Sequence, residues 1–228
     1  MTTIASALQA VKRRIATAAG QAGRTPEDIL LLAVSKTFPA EAVREAHAAG
    51  QMVFGESYVQ EALVKIAALR DLPLEWHFIG PLQSNKTRHV AENFAWVHGV
   101  DRAKIADRLS AARPEGMPPL NVCIEVNVSG EASKGGIAPQ DVMALVAHAR
   151  ALPRLRPRGL MAIPAPTADL AQQRAQFRIL RELLAVLNRS GFELDTLSMG
   201  MSDDLEAAIA EGATIVRVGS AIFGARGL

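Results

Sequence analysis

The chain has 228 residues, of which 49% are hydrophobic and 21% are charged, so it can bury a substantial core and is not a disordered chain. Its 25 basic and 23 acidic residues give a formal net charge of +2, which argues against nucleic acid or an anionic membrane as the natural partner. The single cysteine, Cys123, excludes an internal disulfide and a metal site built from several thiolates.

The amino terminus lacks the basic and then apolar pattern of a signal peptide, and no apolar stretch approaches the roughly 18 residues that a membrane-spanning helix needs. We therefore expect a cytoplasmic protein. The five histidines show no close ligand spacing, so no metal site is expected.

Short strand-like runs alternate with longer helical patterns, beginning with an alanine-rich helix predicted at residues 3–19. Strands are predicted at residues 29–35, 52–55, 76–79, 96–98, 121–128, 158–163, 196–198 and 214–218. Helices are predicted at residues 40–49, 57–69, 86–93, 101–112, 139–151, 170–188 and 203–211, with a short closing helix after Gly219. Eight such repeats favour an α/β fold, a single (β/α)8 TIM barrel with an extra N-terminal helix, over an open doubly wound sheet. The short loops predict that residues 1–228 form one domain.

The site of such a barrel lies at the carboxyl ends of its strands, and Lys36 follows the first predicted strand. Strand alternation places Lys36 on the face of Leu30, Leu32 and Val34. An amine at the edge of an apolar run is expected to have a lowered pKa, which makes its free base available to attack a carbonyl carbon. The alternative is a lysine that extends to water at the end of a strand.

The last predicted strand carries a second cation, Arg217, inside an otherwise apolar run, where a guanidinium needs an anionic partner. Gly219 and Ser220 follow it at the start of the closing helix, where backbone N–H groups can bind an anion and a serine can cap the helix. Barrels commonly bind phosphate after strands seven and eight. These residues are therefore candidates for a phosphate site.

The loop after strand seven contains Met201 and Ser202, and Ser202 can cap the next helix and offer a hydroxyl to the same phosphate. Asp203 and Asp204 follow directly, and their charge opposes a phosphate on that helix axis. Ser220 and Gly219 are therefore the stronger candidates, and an ordinary helix cap is the alternative for Ser202.

Two other polar residues interrupt predicted strands. Alternation in the fifth strand sends Asn121, Cys123, Glu125 and Asn127 to one face, so Glu125 can pair with a buried cation or lie under a helix. His77 in the third strand is more typical of a hydrogen-bonded core residue than of a base.

Six segments along the chain resemble, in order, the YggS/PROSC family of pyridoxal phosphate homeostasis proteins. They are residues 33–36, 54–61, 76–86, 158–164, 197–204 and 216–224. The resemblance implies a barrel of the alanine-racemase type that binds pyridoxal 5'-phosphate (PLP) as a Schiff base with Lys36. It also implies that Arg217, Gly219, Ser220 and the loop of Met201 and Ser202 hold the phosphate.

Two further positions are interpreted through the resemblance. Lys134 matches a lysine that the family implies as a secondary or transit point for the cofactor, and a mobile loop cation is the alternative. Ser57 stands where the family usually has asparagine, and a serine hydroxyl reaches less far, so it would need a bridging water to contact the cofactor.

The expected function is vitamin B6 (PLP) homeostasis, with the chain acting as store, buffer or carrier and with no catalytic residue. A racemase needs a second base, which related alanine racemases take from an extra domain, whereas the only tyrosine here is Tyr58. The alternatives are a weak PLP-dependent amino-acid racemase or lyase that uses Lys36 as its only base, and a barrel for another phosphorylated metabolite. The expected partners are PLP and, transiently, apo forms of PLP-dependent enzymes, and the absence of a second domain favours a monomer.

Overall fold

A computed structural model describes residues 3–131 and 133–225 of the chain. Within these residues eight parallel strands close into a barrel in sequence order, from β1 to β8 and back to β1. The strands are β1 Leu30–Val34, β2 Val53–Glu56, β3 Glu75–Phe78, β4 Trp96–Val100, β5 Leu120–Glu125, β6 Leu155–Met161, β7 Thr196–Ser198 and β8 Ile215–Val218. The prediction of a (β/α)8 barrel is confirmed.

Helices follow the strands and form an outer layer, and one helix precedes them. They are α1 Ile4–Gln21, α2 Ala40–Ala48, α3 Val59–Ala68, α4 Thr87–Asn93, α5 Ala103–Ala112, α6 Val142–Arg150, α7 Leu170–Arg189, α8 Leu205–Ala210 and α9 Ser220–Phe223. Short 3₁₀ helices lie at Pro26–Asp28, Ser84–Lys86 and Pro139–Asp141.

The first helix shows why this sequence folds onto the barrel. Thr3 caps α1 by accepting the N–H of Ser6 at 3.1 Å, which satisfies one of the free donors of its first turn. Leu8, Val11 and Ile15 recur at helical spacing and are buried, and α1 packs against α2, α8 and α9. The extra helix is therefore part of the main core.

Closure of the barrel places the strand ends in one mouth. Strand β1 pairs with β8 in the register Leu32 to Arg217 and with β2 in the register Val34 to Gly55. Because all strands are parallel, the segments after β1, β7 and β8 emerge at the same end. This end carries the candidate residues.

Most strands differ from their predicted bounds by one or two residues, and two differ by three residues at one end. The fifth was predicted to reach residue 128 but ends at Glu125. The Val126 N–H still donates to the Met161 carbonyl of β6, but the chain then pairs with Ile137, which accepts the Asn127 N–H at 2.9 Å. The sixth was predicted from residue 158 but begins at Leu155, and its Pro157 lies at a shift in register against β5. Pairing with residues outside the local pattern decides both ends, with Ile137 for β5 and with Leu120 of β5 for β6.

Across the described residues no helix combines the length and the apolar character required to cross a membrane.

Candidate functional site

A cavity of about 190 Å³ opens at the carboxyl ends of the strands. Segments that follow six different strands contribute to its wall, and β1 and β8 contribute one strand residue each. The lining residues are Val34, Lys36, Ser57, Ile79, Ile163, Met201, Ser202, Asp203, Arg217, Gly219 and Ser220. All six candidate residues from the sequence, namely Lys36, Met201, Ser202, Arg217, Gly219 and Ser220, therefore line one cavity.

Lys36 lies two residues beyond the end of β1 and is partly buried. The next residue, Thr37, has a φ of 69°, a left-handed conformation that is uncommon for a side chain branched at Cβ. Glu61 of α3 stabilises this turn by accepting the Thr37 N–H at 2.6 Å. The backbone that carries Lys36 is thus fixed by a neighbouring helix.

A buried ion-pair cluster supports the same turn from below. The Lys65 ammonium lies 2.6 Å from one carboxylate oxygen of Glu56 and 2.6 Å from one of Glu61, and it donates to the Ser35 carbonyl at 2.7 Å. The Ser35 hydroxyl also donates to Glu56 at 2.6 Å. Burial raises the pKa of Glu56, although the bonds from Lys65 and Ser35 oppose this change.

The sequence reasoning missed this cluster of Ser35, Glu56, Glu61 and Lys65. Glu61 and Lys65 are spaced for an i, i+4 ion pair, which is the one signal that could have identified it. The spacing alone predicts a solvated helix face, and the burial of Lys65 comes from packing against β1 and β2.

The two loops at the rim meet through their serines. The Ser220 hydroxyl donates to the Ser202 hydroxyl oxygen at 3.1 Å. Gly219 lies against β1, where an added Cβ would be 3.2 Å from the Val34 carbonyl oxygen, so a side chain would push this loop away from the strand. Lys36 and both serines therefore share one small space.

The predicted capping roles of these serines are wrong. Helix α9 begins at Ser220 itself with Gly219 as its N-cap, and α8 begins at Leu205 with Asp204 as its N-cap, without a capping bond from either side chain. Asp204 instead accepts the Met201 N–H at 2.5 Å, and its burial raises the pKa of its carboxyl group. The two serine hydroxyls thus face the cavity without serving as caps.

Arg217 enters the cavity from the barrel interior. Its guanidinium donates to the Ser198 carbonyl and hydroxyl oxygens at 2.6 and 2.7 Å and to the Ala162 carbonyl at 2.9 Å. These acceptors are neutral oxygens, and among the described residues the expected anionic partner is not in direct contact. Burial lowers the pKa of Arg217 to about 10, against the opposing charges of Asp204 and Glu125, so the side chain stays cationic at neutral pH.

Glu125 and Lys134 lie at the neighbouring part of the mouth. Burial raises the pKa of Glu125, and Gly135 packs so closely that an added Cβ would be 2.6 Å from a Glu125 carboxylate oxygen. The loop that carries Lys134 therefore covers Glu125. Lys134 does not belong to the lining of the cavity, and its N–H donates to the Glu131 carbonyl at 3.1 Å.

His77 is a hydrogen-bonded residue of the barrel interior, in agreement with the interpretation of the sequence. Tyr58 is 54% exposed and lines a separate groove of about 440 Å³ beside the mouth.

Among the lining residues of the cavity the ionisable side chains are Lys36, Asp203 and Arg217. The wall of the cavity thus contains one amine, one carboxylate and one guanidinium, together with the hydroxyls of Ser57, Ser202 and Ser220.

Comparison with known proteins gives a consistent result. Residues 6–227 match the family described as alanine racemase, N-terminal domain. The pyridoxal phosphate homeostasis protein of Pseudomonas aeruginosa is 66% identical over 226 residues, which cover 99% of this chain and 97% of that protein. The pyridoxal phosphate homeostasis protein of Escherichia coli K12 is 54% identical over 229 residues, which cover 99% of this chain and 98% of the relative.

A solved structure is similar over the same length. PipY of Synechococcus elongatus, with PLP bound, is 39% identical, with a TM-score of 0.84 and coverage of 97% of this chain and 100% of PipY.

Proposed function

Because the chain belongs to the family of pyridoxal phosphate homeostasis proteins, we propose that it binds PLP covalently through Lys36 and stores, buffers or carries it in the cytoplasm. The observation that carries this proposal is the single cavity in which Lys36 faces the loops after β7 and β8. When bound, PLP supplies an aldehyde and an electron-withdrawing ring. Lys36 would offer its amine nitrogen to that aldehyde carbon, with the aldehyde oxygen lost as water.

The chemistry of the cavity fits a small phosphorylated aldehyde. Ser202 and Ser220 offer hydroxyls 3.1 Å apart, and Gly219 allows the backbone of this loop to lie close to a phosphate. Arg217 adds positive charge to the wall, and since two of its nitrogens are engaged by protein oxygens, it acts on the phosphate through charge more than through a bidentate contact. The Met201 N–H is held by Asp204, so Met201 contributes to the shape of this cup more than to its hydrogen bonds.

The same cavity offers little for turnover of an amino acid. Efficient proton transfer at both faces of a substrate carbon needs two positioned groups, and each contributes on the order of 10² to 10⁴ in rate. Neither a tyrosine nor a histidine belongs to the lining residues, and Tyr58 lies in the neighbouring groove. This composition supports a carrier over a racemase.

The proposed partners follow from this role. The protein is a monomer that exchanges PLP with the medium and, transiently, with apo forms of PLP-dependent enzymes. Size-exclusion chromatography with light scattering should give the mass of one chain. A stable dimer would contradict this part of the proposal.

The covalent linkage is tested by borohydride reduction of the purified protein, followed by trypsin digestion and mass mapping. Trypsin does not cleave after a modified lysine, so a reduced adduct on Lys36 should appear in a peptide of residues 25–44. The variant Lys36→Ala should lose the adduct, whereas Lys134→Ala should retain it as the matched control. An undiminished adduct in Lys36→Ala would place the linkage on another lysine, and a protein that gains no visible absorption with PLP binds a different metabolite.

Turnover is tested separately with the PLP-loaded protein in deuterated water. Incubation with L-alanine and other L-amino acids should give no sustained exchange at the α-carbon. Continuous exchange or accumulation of the D-isomer would identify a racemase that uses Lys36 as its base.

A further inference from the structure

A continuous chain of hydrogen bonds crosses the barrel interior and ends at the cofactor cavity. Glu75 Oε1 lies 2.8 Å from His77 Nε2, and His77 Nδ1 lies 2.9 Å from His98 Nε2. His98 Nδ1 is 2.7 Å from the Ser198 hydroxyl oxygen, which is also 2.7 Å from a guanidinium nitrogen of Arg217. We call these five residues the relay.

The relay connects two ends of the barrel. Glu75 is the first residue of β3, and its side chain is 48% exposed at the amino-terminal end. His77, His98 and Ser198 are completely buried, and Arg217 lines the cavity at the opposite end. Four strands, β3, β4, β7 and β8, each contribute to it.

The two ends of the relay together fix the direction of every bond between them, because the Glu75 carboxylate only accepts and the Arg217 guanidinium only donates. A guanidinium only donates, so the Ser198 oxygen accepts from Arg217 and its single proton is directed to His98 Nδ1. His98 then carries its proton on Nε2 and donates to His77 Nδ1, which leaves the His77 proton on Nε2. The carboxylate of Glu75 accepts a hydrogen bond from this Nε2–H, which is the last bond of the relay.

The surroundings of both imidazoles favour this neutral arrangement. Burial lowers the pKa of His77, although Glu75 opposes the change, and burial lowers the pKa of His98 further, with added repulsion from His77 and Arg217. The hydrogen bond from His77 lowers the pKa of Glu75, and Arg158 acts in the same direction. Trp96 stacks on His77 with ring centroids 5.3 Å apart, so the first imidazole cannot turn freely.

We propose that His77, His98 and Ser198 are positioning residues, which hold the guanidinium of Arg217 at a fixed place in the wall of the cofactor cavity, with Glu75 as the anionic end of the relay. Ser198 is the direct contact, and each imidazole fixes the orientation of its neighbour. Loss of one member leaves a buried donor or acceptor without a partner and allows Arg217 to shift. The inference rests on the proposed function only where PLP is the probe.

The first test uses the protein without PLP. Long-range ¹H–¹⁵N spectra of the histidine rings should show His77 and His98 protonated at Nε2 and unprotonated at Nδ1, without a change between about pH 6 and 8. A proton on Nδ1 of either ring, or protonation of either ring in this range, would overturn the relay. This result does not depend on cofactor binding or on whether a variant folds.

The second test measures the effect on PLP. His98→Leu removes both ring nitrogens, whereas His98→Gln keeps one acceptor and one donor, and Cys123→Ala is a matched control in the same barrel interior. We expect His98→Leu to raise the dissociation constant of PLP about tenfold and to shift its visible band, because a hydrogen-bonded charge is displaced. His98→Gln should restore part of both properties, and Cys123→Ala should change neither.

The outcomes separate the two proposals. A folded His98→Leu protein with the affinity and spectrum of the wild type overturns the positioning role, and so does an equal loss in Cys123→Ala, which would indicate packing alone. A wild-type chain that does not bind PLP overturns the proposed function, while the ring tautomers still decide whether the relay exists.

Discussion

At the residue scale, the proposed phosphate site depends most directly on the serine pair at the rim. Ser202 and Ser220 come from loops after different strands, and their hydroxyl oxygens lie 3.1 Å apart. We expect Ser202→Ala and Ser220→Ala each to weaken PLP binding about tenfold or more, since a hydrogen bond to a charged group contributes about 1.5–3 kcal/mol. Equilibrium dialysis with detection of the bound chromophore measures this change. Ser190→Ala, at the end of α7, is a control that should bind as the wild type does, and unchanged affinity in both rim variants would contradict the phosphate cup.

A second residue-scale prediction concerns pH. Burial raises the pKa of Glu125 above its value in the unfolded chain, with Asp101 adding to the increase and Arg217 opposing it. The ionised carboxylate is therefore less stable in the folded protein, and at neutral pH it costs free energy of folding. As the pH falls through the raised value and below the unfolded value of about 4.3, both states become protonated and this cost disappears. We expect Glu125→Gln to raise the melting temperature at pH 7 and to change it little near pH 4.

Glu206 provides a control of opposite sign. Burial raises the pKa of its carboxyl group, but the hydrogen bonds from Arg14 outweigh this effect and the net pKa is lowered. The charged form of Glu206 thus favours the folded state above its unfolded pKa, and Glu206→Gln should lower the melting temperature at pH 7. If both variants shift in the same direction, the assignment of burial as the cause at Glu125 is wrong.

At the scale of elements, helix α3 holds the turn that carries Lys36. Lys65 of this helix bonds Glu56, Glu61 and the Ser35 carbonyl from a buried position. Removal of one partner from a buried ion pair leaves an uncompensated charge, so Lys65→Met should lower the free energy of unfolding by about 3–5 kcal/mol. Urea denaturation measures the loss, and PLP binding should weaken in the same variant.

The double variant Lys65→Met, Glu56→Leu distinguishes charge from packing. It removes both members of the innermost pair, so much of the lost stability should return. A double variant less stable than Lys65→Met alone would show that Glu56 acts mainly through its bond to Ser35.

The sequence predicts those elements and site residues that depend on patterns within a short stretch of the chain. Alternation and parallel strands place Lys36, Arg217, Gly219 and Ser220 at one mouth, and the structure gathers them in one cavity. The end of β5 was predicted wrongly because the chain at Val126 and Asn127 pairs with Ile137, a partner that no local pattern indicates.

Contacts between residues far apart in the chain could not be predicted from these local patterns. His98 and Ser198 are 100 residues apart, and their hydrogen bond exists only because barrel closure directs both side chains inward. Lys65 lies on a helix that was predicted, but its burial depends on two carboxylates and a strand-end carbonyl that pack around it.

At the scale of the whole molecule, the barrel and α1 share one core, and we expect residues 1–228 to unfold as one domain. Leu8 of α1 is completely buried, and Leu8→Ala should cost about 2–5 kcal/mol. Trp76 and Trp96 lie on β3 and β4, whereas α1 packs against α2, α8 and α9. Tryptophan fluorescence and far-ultraviolet circular dichroism should therefore report the same lowered urea midpoint. Two separate transitions, with only the helical signal shifted, would contradict a single domain.

Because β1 pairs with β8, the chain could begin at another strand of the barrel without losing a strand neighbour. Strand β1 is hydrogen-bonded to β8 just as it is to β2, and α1 contacts α9, so the ring has no natural first member. A circular permutant that joins the two termini through a short linker and begins at the exposed Gly116, between α5 and β5, keeps every strand neighbour. The cavity that contains Lys36 would then be assembled from segments near the middle of the new chain, with the same neighbours in space.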